Sequence, residues 1–213
     1  MKNSSHLIIF IYSLISCLFH LGILVSITIY IRGHDVCVLL VTIMDVIEAI
    51  TTRRSIRRYK RQTPISDEMM HTLLDAGFSA PSAGNQQPWH FLVIDDHKLL
   101  SVIQTFHPSA KMLNEADKAI LVCGDLNLEK FKGYWMIDCA AATENILLAA
   151  HGLGLGSCWL GIYPREGRVA GMRKLFHLPH HIIPFAVISL GYPAEEKPRG
   201  NRYTKERIHH NTW

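Results

Sequence analysis

The polar stretch formed by residues 80–91 combines side chains that can bind a flat heterocycle. Ser82, Asn85, Gln86 and Gln87 offer hydroxyl and amide groups that both donate and accept hydrogen bonds. Two prolines and a glycine keep the stretch out of a helix or the middle of a sheet, so it is expected to be a loop. Taken alone, the loop is equally consistent with an ordinary connector. The residues around it distinguish these two interpretations.

A dense basic run at residues 53–61 precedes this loop. Six cations lie within nine residues, yet further basic stripes are scarce nearby and the formal net charge of the chain is only +4. A solvated face or a nucleic-acid surface is the alternative interpretation, and the mild charge does not favour nucleic acid. The forked guanidinium groups of Arg53, Arg54 and Arg57 match phosphate oxygens, and the Ser55 hydroxyl adds a donor. The favoured interpretation is a phosphate site.

The glycine-rich segment at residues 152–161 does not predict a dinucleotide fold. A G-x-G-x-x-G pattern starting at Gly154 would need glycine where Trp159 stands, and the segment follows a predicted helix rather than a strand. The glycines are instead expected to end that helix and to begin a short strand. The backbone at Leu160 and Gly161 could then approach a flat ligand closely.

The sequence shows no recognisable set of metal ligands and no set of acid–base catalytic side chains. Pro179 interrupts the spacing of His177, His180 and His181, and no acidic residue completes a ligand set, so no metal is predicted. The chain also has no evident Ser/His/Asp arrangement and no paired carboxylates. We therefore expect the chemistry to belong to a bound cofactor and predict no catalytic side chain.

The motifs lie between helices and strands that the sequence pattern predicts. Asp45 and Ser66 are expected to cap helices, the second of which ends near Gly77. The longest helix is apolar all round and therefore central, and its polar residues are expected to satisfy neighbouring groups rather than to catalyse. Strands are predicted at residues 90–95, 119–123, 157–161 and 182–190, and helices at residues 96–106, 135–151 and 164–176.

The front of the chain, residues 1–43, is interpreted separately from the domain at residues 44–213. Residues 7–31 are almost wholly apolar and long enough to cross a bilayer. This segment is either a membrane anchor, with the following arginines placing the domain in the cytoplasm, or an over-extended start before Met44; a secretory signal is least favoured. The five cysteines are odd in number and form no C-x-x-C pair, which indicates a reducing compartment. We therefore predict a cytoplasmic location, or a membrane anchor with the domain facing the cytoplasm.

Five motifs in order resemble the nitroreductase family of FMN-dependent enzymes, and together they span residues 44–213. They are the basic segment 53–57, the loop at residues 81–89, residues 110–113, the segment 154–161 and the tail pair Arg202-Tyr203. The resemblance implies an α+β fold with a central, mostly antiparallel sheet flanked by helices. It also implies an intertwined homodimer with two FMN sites at the subunit interface.

The resemblance assigns roles to individual residues. Around the FMN phosphate and ribityl chain it places Arg53, Arg54, Ser55 and Arg57, joined by Arg199 or Arg202 from the tail. From the other subunit it lays onto the flavin the loop residues Pro81, Ser82, Ala83, Asn85 and Gln87. Along the flavin ring it places Trp159, Leu160 and Gly161, with backbone N–H groups facing the negative charge of the reduced form, and near the mouth of the site it places Lys111.

The function implied is a ping-pong oxidoreductase. Hydride would pass from NADH or NADPH through flavin N5 to an electron-poor small molecule such as a nitroaromatic or a quinone. Two alternatives stay open. A flavoprotein of the same fold could carry out dehalogenation or flavin destruction, because the variable segment 126–134 would set the choice of acceptor. A membrane-tethered basic module could instead use residues 53–61 on anionic lipid or nucleic acid.

Overall fold

The computed structural model describes residues 25–32, 35–42 and 44–213. The described residues up to Ala49 form one compact unit and residues 50–213 form another. In the first unit, β1 (Val25–Arg32) pairs antiparallel with β2 (Asp35–Thr42).

The apolar run predicted as a possible membrane span, residues 7–31, is only partly described. Its last residues, from Val25, lie in strand β1 rather than in a helix, and residues 7–24 lie outside the described part of the chain. Across the residues that the structure describes, no helix is both long and apolar enough to cross a membrane.

A four-stranded antiparallel sheet forms the centre of the second unit. Its strands are β3 (Trp89–Ile94), β4 (Lys118–Asp125), β5 (Gly156–Gly161) and β6 (Ile182–Gly191). They lie in the order β3-β4-β6-β5, so β3 and β5 occupy the two edges. Strand β4 is buried along nearly its whole length, as expected for a central strand covered on both faces.

Helices cover both faces of this sheet. They are α2 (Asp67–Phe78), α3 (His97–Ile103), α4 (Trp135–Gly152) and α5 (Glu166–Phe176), whereas helix α1 (Val46–Thr52) spans the boundary between the two units. Alternate residues of β4 enter two separate cores: Leu121 packs in the cluster with Leu100 of α3 and Met172 of α5, whereas Ile120 packs in the cluster with Ile146 of α4. The predicted α+β fold with a mostly antiparallel sheet is confirmed.

Local capping rules account for the helix starts. The Asp45 carboxylate accepts from the Ile47 backbone N–H at 2.8 Å, and the Ser66 hydroxyl accepts from the Met69 N–H at 3.2 Å, as predicted. Helix α2 ends at Phe78, within one residue of the predicted end, but Gly77 itself lies inside the helix. A Cβ at Gly77 would lie 2.9 Å from both Ile146 Cδ1 and Phe91 Cζ. Gly77 therefore permits close packing between α2, α4 and β3 and does not end the helix.

Candidate functional site

Four arginines from distant parts of the sequence line one pocket. The pocket has a volume of about 690 Å³ and lies between the C-terminal tail and the end of α1 with the residues that follow it. Its lining residues are Ile50, Thr51, Arg53, Arg54, Arg199, Gly200, Asn201, Arg202 and Tyr203. The structure therefore brings together Arg53, Arg54, Arg199 and Arg202, which the sequence separates by about 150 residues. Ser55 and Arg57 are not among the lining residues of this pocket.

The charge of this pocket is only partly balanced by the chain. Arg53 Nε lies 3.3 Å from Glu144 Oε1 of helix α4. Arg54 reaches the tail closely, since a Cβ built at Gly200 would lie 2.5 Å from Arg54 Nη1. Converging guanidinium groups repel one another in the absence of an anion, and their geometry suits phosphate oxygens. The donor set fits a phosphate ligand.

The basic segment is docked against the start of edge strand β5. The Ile56 N–H donates to the Ser157 carbonyl at 2.9 Å, and Ser55 forms a parallel bridge with Ser157. Further along, the buried Tyr59 hydroxyl lies 2.7 Å from Ser189 Oγ, and burial raises the pKa of this phenol well above its usual range. The arginines thus extend from a segment whose backbone is fixed to the sheet.

Residues of the tail also hold this segment in place. The Glu195 carboxylate accepts from the Arg57 N–H at 2.6 Å and lies 3.0 Å from Lys197 Nζ. Lys197 Nζ in turn donates to the Ser55 carbonyl at 2.7 Å. The Arg57 N–H, followed by Lys197, lowers the pKa of the Glu195 carboxyl below its ordinary value. This tail contact was not predicted, because no local pattern pairs residues 195–197 with residues 55–57.

Strand β5 leaves part of its outer edge open. It pairs only with β6 within the sheet, and the Ser157 carbonyl points away from β6 toward Ile56. Because backbone groups alternate along a strand, the N–H groups of Trp159 and Gly161 also point to the outer edge. A Cβ at Gly161 would meet no atom within 4 Å, so there is open space beside this residue. From Ser157 to Gly161 the strand runs about 13 Å away from the arginine segment.

The Gly161 carbonyl is held by two side chains from different elements. Arg168 Nη1, in α5, donates to it at 2.7 Å, and His107 Nε2, just before a short 3-10 helix at Pro108–Asn114, lies 3.2 Å away. His107 is only 2% exposed, and its Nδ1 atom is buried without a hydrogen-bond partner among the described residues. Burial, followed by the charge of Arg168, lowers the pKa of His107 from its ordinary value. Sequence reasoning missed both residues, since neither belongs to a motif.

The loop at residues 81–87 is preformed and anchored from below. Gly84, Asn85 and Gln87 have positive φ angles of 52°, 54° and 47°. The buried Asp138 carboxylate accepts from the Ala83 N–H at 2.9 Å and from Gln86 Nε2 at 2.6 Å. Asp138 thus satisfies neighbouring groups, as predicted for the polar residues of this helix.

Two more hydrogen bonds complete the anchoring of this loop. Gln86 Oε1 accepts from the Lys130 N–H at 2.7 Å, and Ser82 Oγ accepts from the Gln87 N–H at 3.0 Å. Gln86 is buried, whereas Pro81, Asn85 and Gln87 are exposed. The loop therefore presents exposed amides on a fixed backbone, and Gln86 is a structural residue of the site.

One chain does not bring the loop and β5 together. The loop precedes β3, and Trp89 of β3 and Gly161 of β5 lie near the same end of the sheet but on opposite edges. Three strand spacings separate these edges, or about 14 Å.

Lys111, predicted to lie near the mouth of the site, is exposed on the 3-10 helix Pro108–Asn114.

Comparison with known proteins places this chain in a family. The family model described as "Nitroreductase family" matches residues 50–122 and 104–192. A Methanothermobacter thermautotrophicus protein, provisionally named NADH dehydrogenase/NAD(P)H nitroreductase, is 47% identical over 190 residues, covering 89% of this chain and 95% of its own length.

Two solved structures are similar in fold and in sequence. One, from Parabacteroides distasonis and with the same provisional name, has a TM-score of 0.76 at 40% identity, and the match covers 79% of this chain and 98% of that one. The other is a provisionally named nitroreductase from Desulfovibrio desulfuricans in complex with FMN. Its TM-score is 0.69 at 31% identity, and the match covers 79% of this chain and 97% of that one.

The fold and the site define an α+β protein with an antiparallel sheet and a cationic pocket next to a segment docked on its edge strand. The chain belongs to the nitroreductase family. The predicted family and enzyme class are thereby confirmed. The predicted cofactors, FMN with NADH or NADPH, agree with the names of these relatives.

Proposed function

We propose that this chain is an FMN-dependent oxidoreductase that transfers hydride from NADH or NADPH to an electron-poor small molecule. The observation that carries the proposal is the pocket in which Arg53, Arg54, Arg199 and Arg202 converge, next to the segment that docks on strand β5. When bound, FMN would supply the redox chemistry, exchanging hydride at N5 with the donor and then with an acceptor such as a nitroaromatic or a quinone. The chain supplies binding, orientation and electrostatics.

The arginine pocket is the proposed site of the FMN phosphate. Arg53 is paired with Glu144, so the positive charge available to a ligand comes chiefly from Arg54, Arg199 and Arg202. A phosphate monoester carries up to two negative charges and accepts several charge-assisted hydrogen bonds. Ser55 and Arg57, on the segment docked to β5, would lie toward the ribityl chain.

Strand β5 is the proposed border of the flavin ring. The outward N–H groups of Trp159 and Gly161 are donors on an open edge, and the space beside Gly161 allows a planar ligand to approach the backbone. Fixed N–H donors stabilise negative charge as it develops on a neighbouring group. Leu160 is the residue between these two donors.

The loop at residues 81–87 is proposed to cover the flavin bound by a second copy of the chain. Within one chain it lies on the opposite sheet edge from β5, about 14 Å across the sheet. The exposed Asn85 and Gln87 would then meet the ring from the partner, with Pro81, Ser82 and Ala83 beside them. Lys111 is proposed to lie at the entrance used by the acceptor. A homodimer with two such sites follows from this arrangement.

The cytoplasm is the proposed compartment. Cys123, Cys139 and Cys158 are free and buried, and free cysteines are typical of proteins kept in a reducing compartment. Fractionation of cells into membrane and soluble pools tests this location.

A flavin spectrum followed by rapid-mixing kinetics tests the function. The purified protein, or its apo form supplied with FMN, should show bound flavin absorbance that bleaches with NADH or NADPH and returns on addition of a nitroaromatic or a quinone. Arg54→Gln should impair flavin uptake, whereas Arg207→Gln, a tail arginine outside the pocket, serves as the control. A folded protein unable to take up FMN would refute the proposal.

A further inference from the structure

The peptide that joins Gly161 to Ile162 is fixed at both of its polar ends. Its carbonyl accepts from Arg168 at 2.7 Å and lies 3.2 Å from His107 Nε2, and its N–H donates to the Phe185 carbonyl at 3.0 Å. Glycine has more backbone freedom than any other residue, and a Cβ at Gly161 would meet no atom within 4 Å. The two side chains therefore hold the backbone of a residue type that has few conformational restraints of its own.

The arrangement of His107 is unusual for a histidine that only fills space. A carbonyl accepts hydrogen bonds, so the His107 Nε2 atom must carry the proton and Nδ1 is left as an acceptor. That acceptor is buried and unpaired within the described structure, which is unfavourable. A hydrophobic residue would avoid this penalty but would lose the hydrogen bond to Gly161.

Arg168 brings a positive charge as well as a hydrogen bond. Its guanidinium is bonded to the carbonyl that lies next to the outward N–H of Gly161. A cation at this position is attracted to the carbonyl oxygen, which is the negative end of the carbonyl dipole. It would also favour negative charge on a group bound along the β5 edge.

We propose that His107 and Arg168 are positioning residues for the flavin, holding the Gly161 peptide in place while Arg168 favours the reduced form of the cofactor. This inference rests on the proposed function, because it requires FMN to lie along β5. Neither side chain is proposed to touch the cofactor. Both act through the Gly161 backbone.

The reduction potential of bound FMN tests the part played by Arg168. Arg168→Met should weaken binding of reduced FMN about tenfold relative to oxidised FMN, which corresponds to a potential lower by about 30 mV for two electrons. Arg168→Lys should recover part of this change because it keeps the charge. Arg173→Met is the matched control, since Arg173 lies on the same helix and also donates to backbone carbonyls, at Pro179 and His180.

Two substitutions of His107 test the hydrogen bond separately. His107→Gln keeps an N–H donor and should retain wild-type FMN affinity. His107→Leu removes the donor, so FMN should bind about tenfold more weakly and the amide of Gly161 should exchange its hydrogen faster. Equal behaviour of the two variants would overturn the role of His107.

The outcomes separate this inference from the proposed function. Wild-type protein that does not bind FMN refutes the function itself. A wild-type potential in folded Arg168→Met, or an equal shift in Arg173→Met, overturns only the inference. Should Arg168→Met fail to fold, Arg168→Gln carries the same test, because it removes the charge and keeps a polar side chain.

Discussion

The arginines of the pocket differ in how much of their charge is available to a ligand. Arg53 faces Glu144, whereas Arg54 lies against the tail at Gly200 with no ion pair recorded in the described residues. Arg54→Gln should therefore weaken FMN binding about tenfold, the loss expected for one charge-assisted hydrogen bond. The measurement is a fluorescence titration of apoprotein with FMN.

Riboflavin provides the control for this prediction, because it lacks the phosphate. Its affinity should change little in Arg54→Gln if the arginine binds phosphate. Equal losses of affinity for FMN and riboflavin would show that Arg54 does not bind the phosphate. Comparing Arg199→Gln with Arg202→Gln by the same titrations identifies which tail arginine contributes.

His107 should make the stability of the protein depend on pH. Its pKa lies below the ordinary value of 6.5, so the unfolded chain binds a proton at a higher pH than the folded chain does. Stability should consequently fall as the pH drops from about 6.5 toward the pKa of the folded state. Above that window the histidine is neutral in both states and contributes no pH dependence.

Thermal unfolding of the holoprotein between pH 7.5 and 5, in roughly half-unit steps, checks this prediction. His107→Gln should flatten the pH dependence because glutamine does not titrate. His71→Gln is the control, as His71 is exposed on α2 beside Asp75. An unchanged slope in His107→Gln would assign the pH dependence to other groups.

At the scale of elements, a substitution in the loop at residues 81–87 can remove a binding group without changing the backbone conformation. Asn85 sits at a φ angle of 54°, a conformation that glycine adopts without strain and that a leucine does not. Asn85→Gly should therefore retain the loop while removing an exposed amide. FMN should bind about tenfold more weakly, with the unfolding temperature nearly unchanged.

Gln62→Gly is a matched control for Asn85→Gly. Gln62 is also exposed, with a φ angle of 60°, but it lies in a turn outside the loop and the arginine pocket. It should leave FMN affinity as in the wild type. Comparable effects of the two substitutions would return the 81–87 loop to the interpretation of an ordinary connector.

The elements that the sequence predicted are those governed by local rules. Asp45 and Ser66 were recognisable as helix caps because a cap bonds backbone groups two or three residues away. Gly77 was misinterpreted because its role depends on Ile146, which is distant in sequence. The contacts of Gly161 with His107 and Arg168 and of Ser55 with Lys197 were missed for the same reason. Such contacts exist only once the sheet has formed.

At the scale of the whole molecule, the proposed site draws its arginine pocket and its covering loop from different copies of the chain. A heterodimer of two defective copies should then contain one intact site. One copy would carry Arg54→Gln with Arg202→Gln in the pocket, and the other would carry Asn85→Leu in the loop. The copy with the intact pocket receives the intact loop from its partner.

Co-expression with two different affinity tags isolates this heterodimer for measurement. It should hold about one FMN per dimer, whereas each variant homodimer should hold little. The unfolding temperature of each homodimer, measured with light scattering, confirms that the variants are folded and paired. If each chain completed its own site, the heterodimer would remain as empty as the homodimers.

Strand β5 also bears on how the protein behaves without its ligand. At one end its outer edge is paired with Ile56, but near Gly161 the N–H groups stay available, and an unpaired strand edge is a template for association with other chains. A cofactor lying along that edge would block such association. Preparations stripped of flavin should therefore precipitate more readily than loaded ones while their helix content is still unchanged, so adding FMN during purification should improve recovery of dispersed protein.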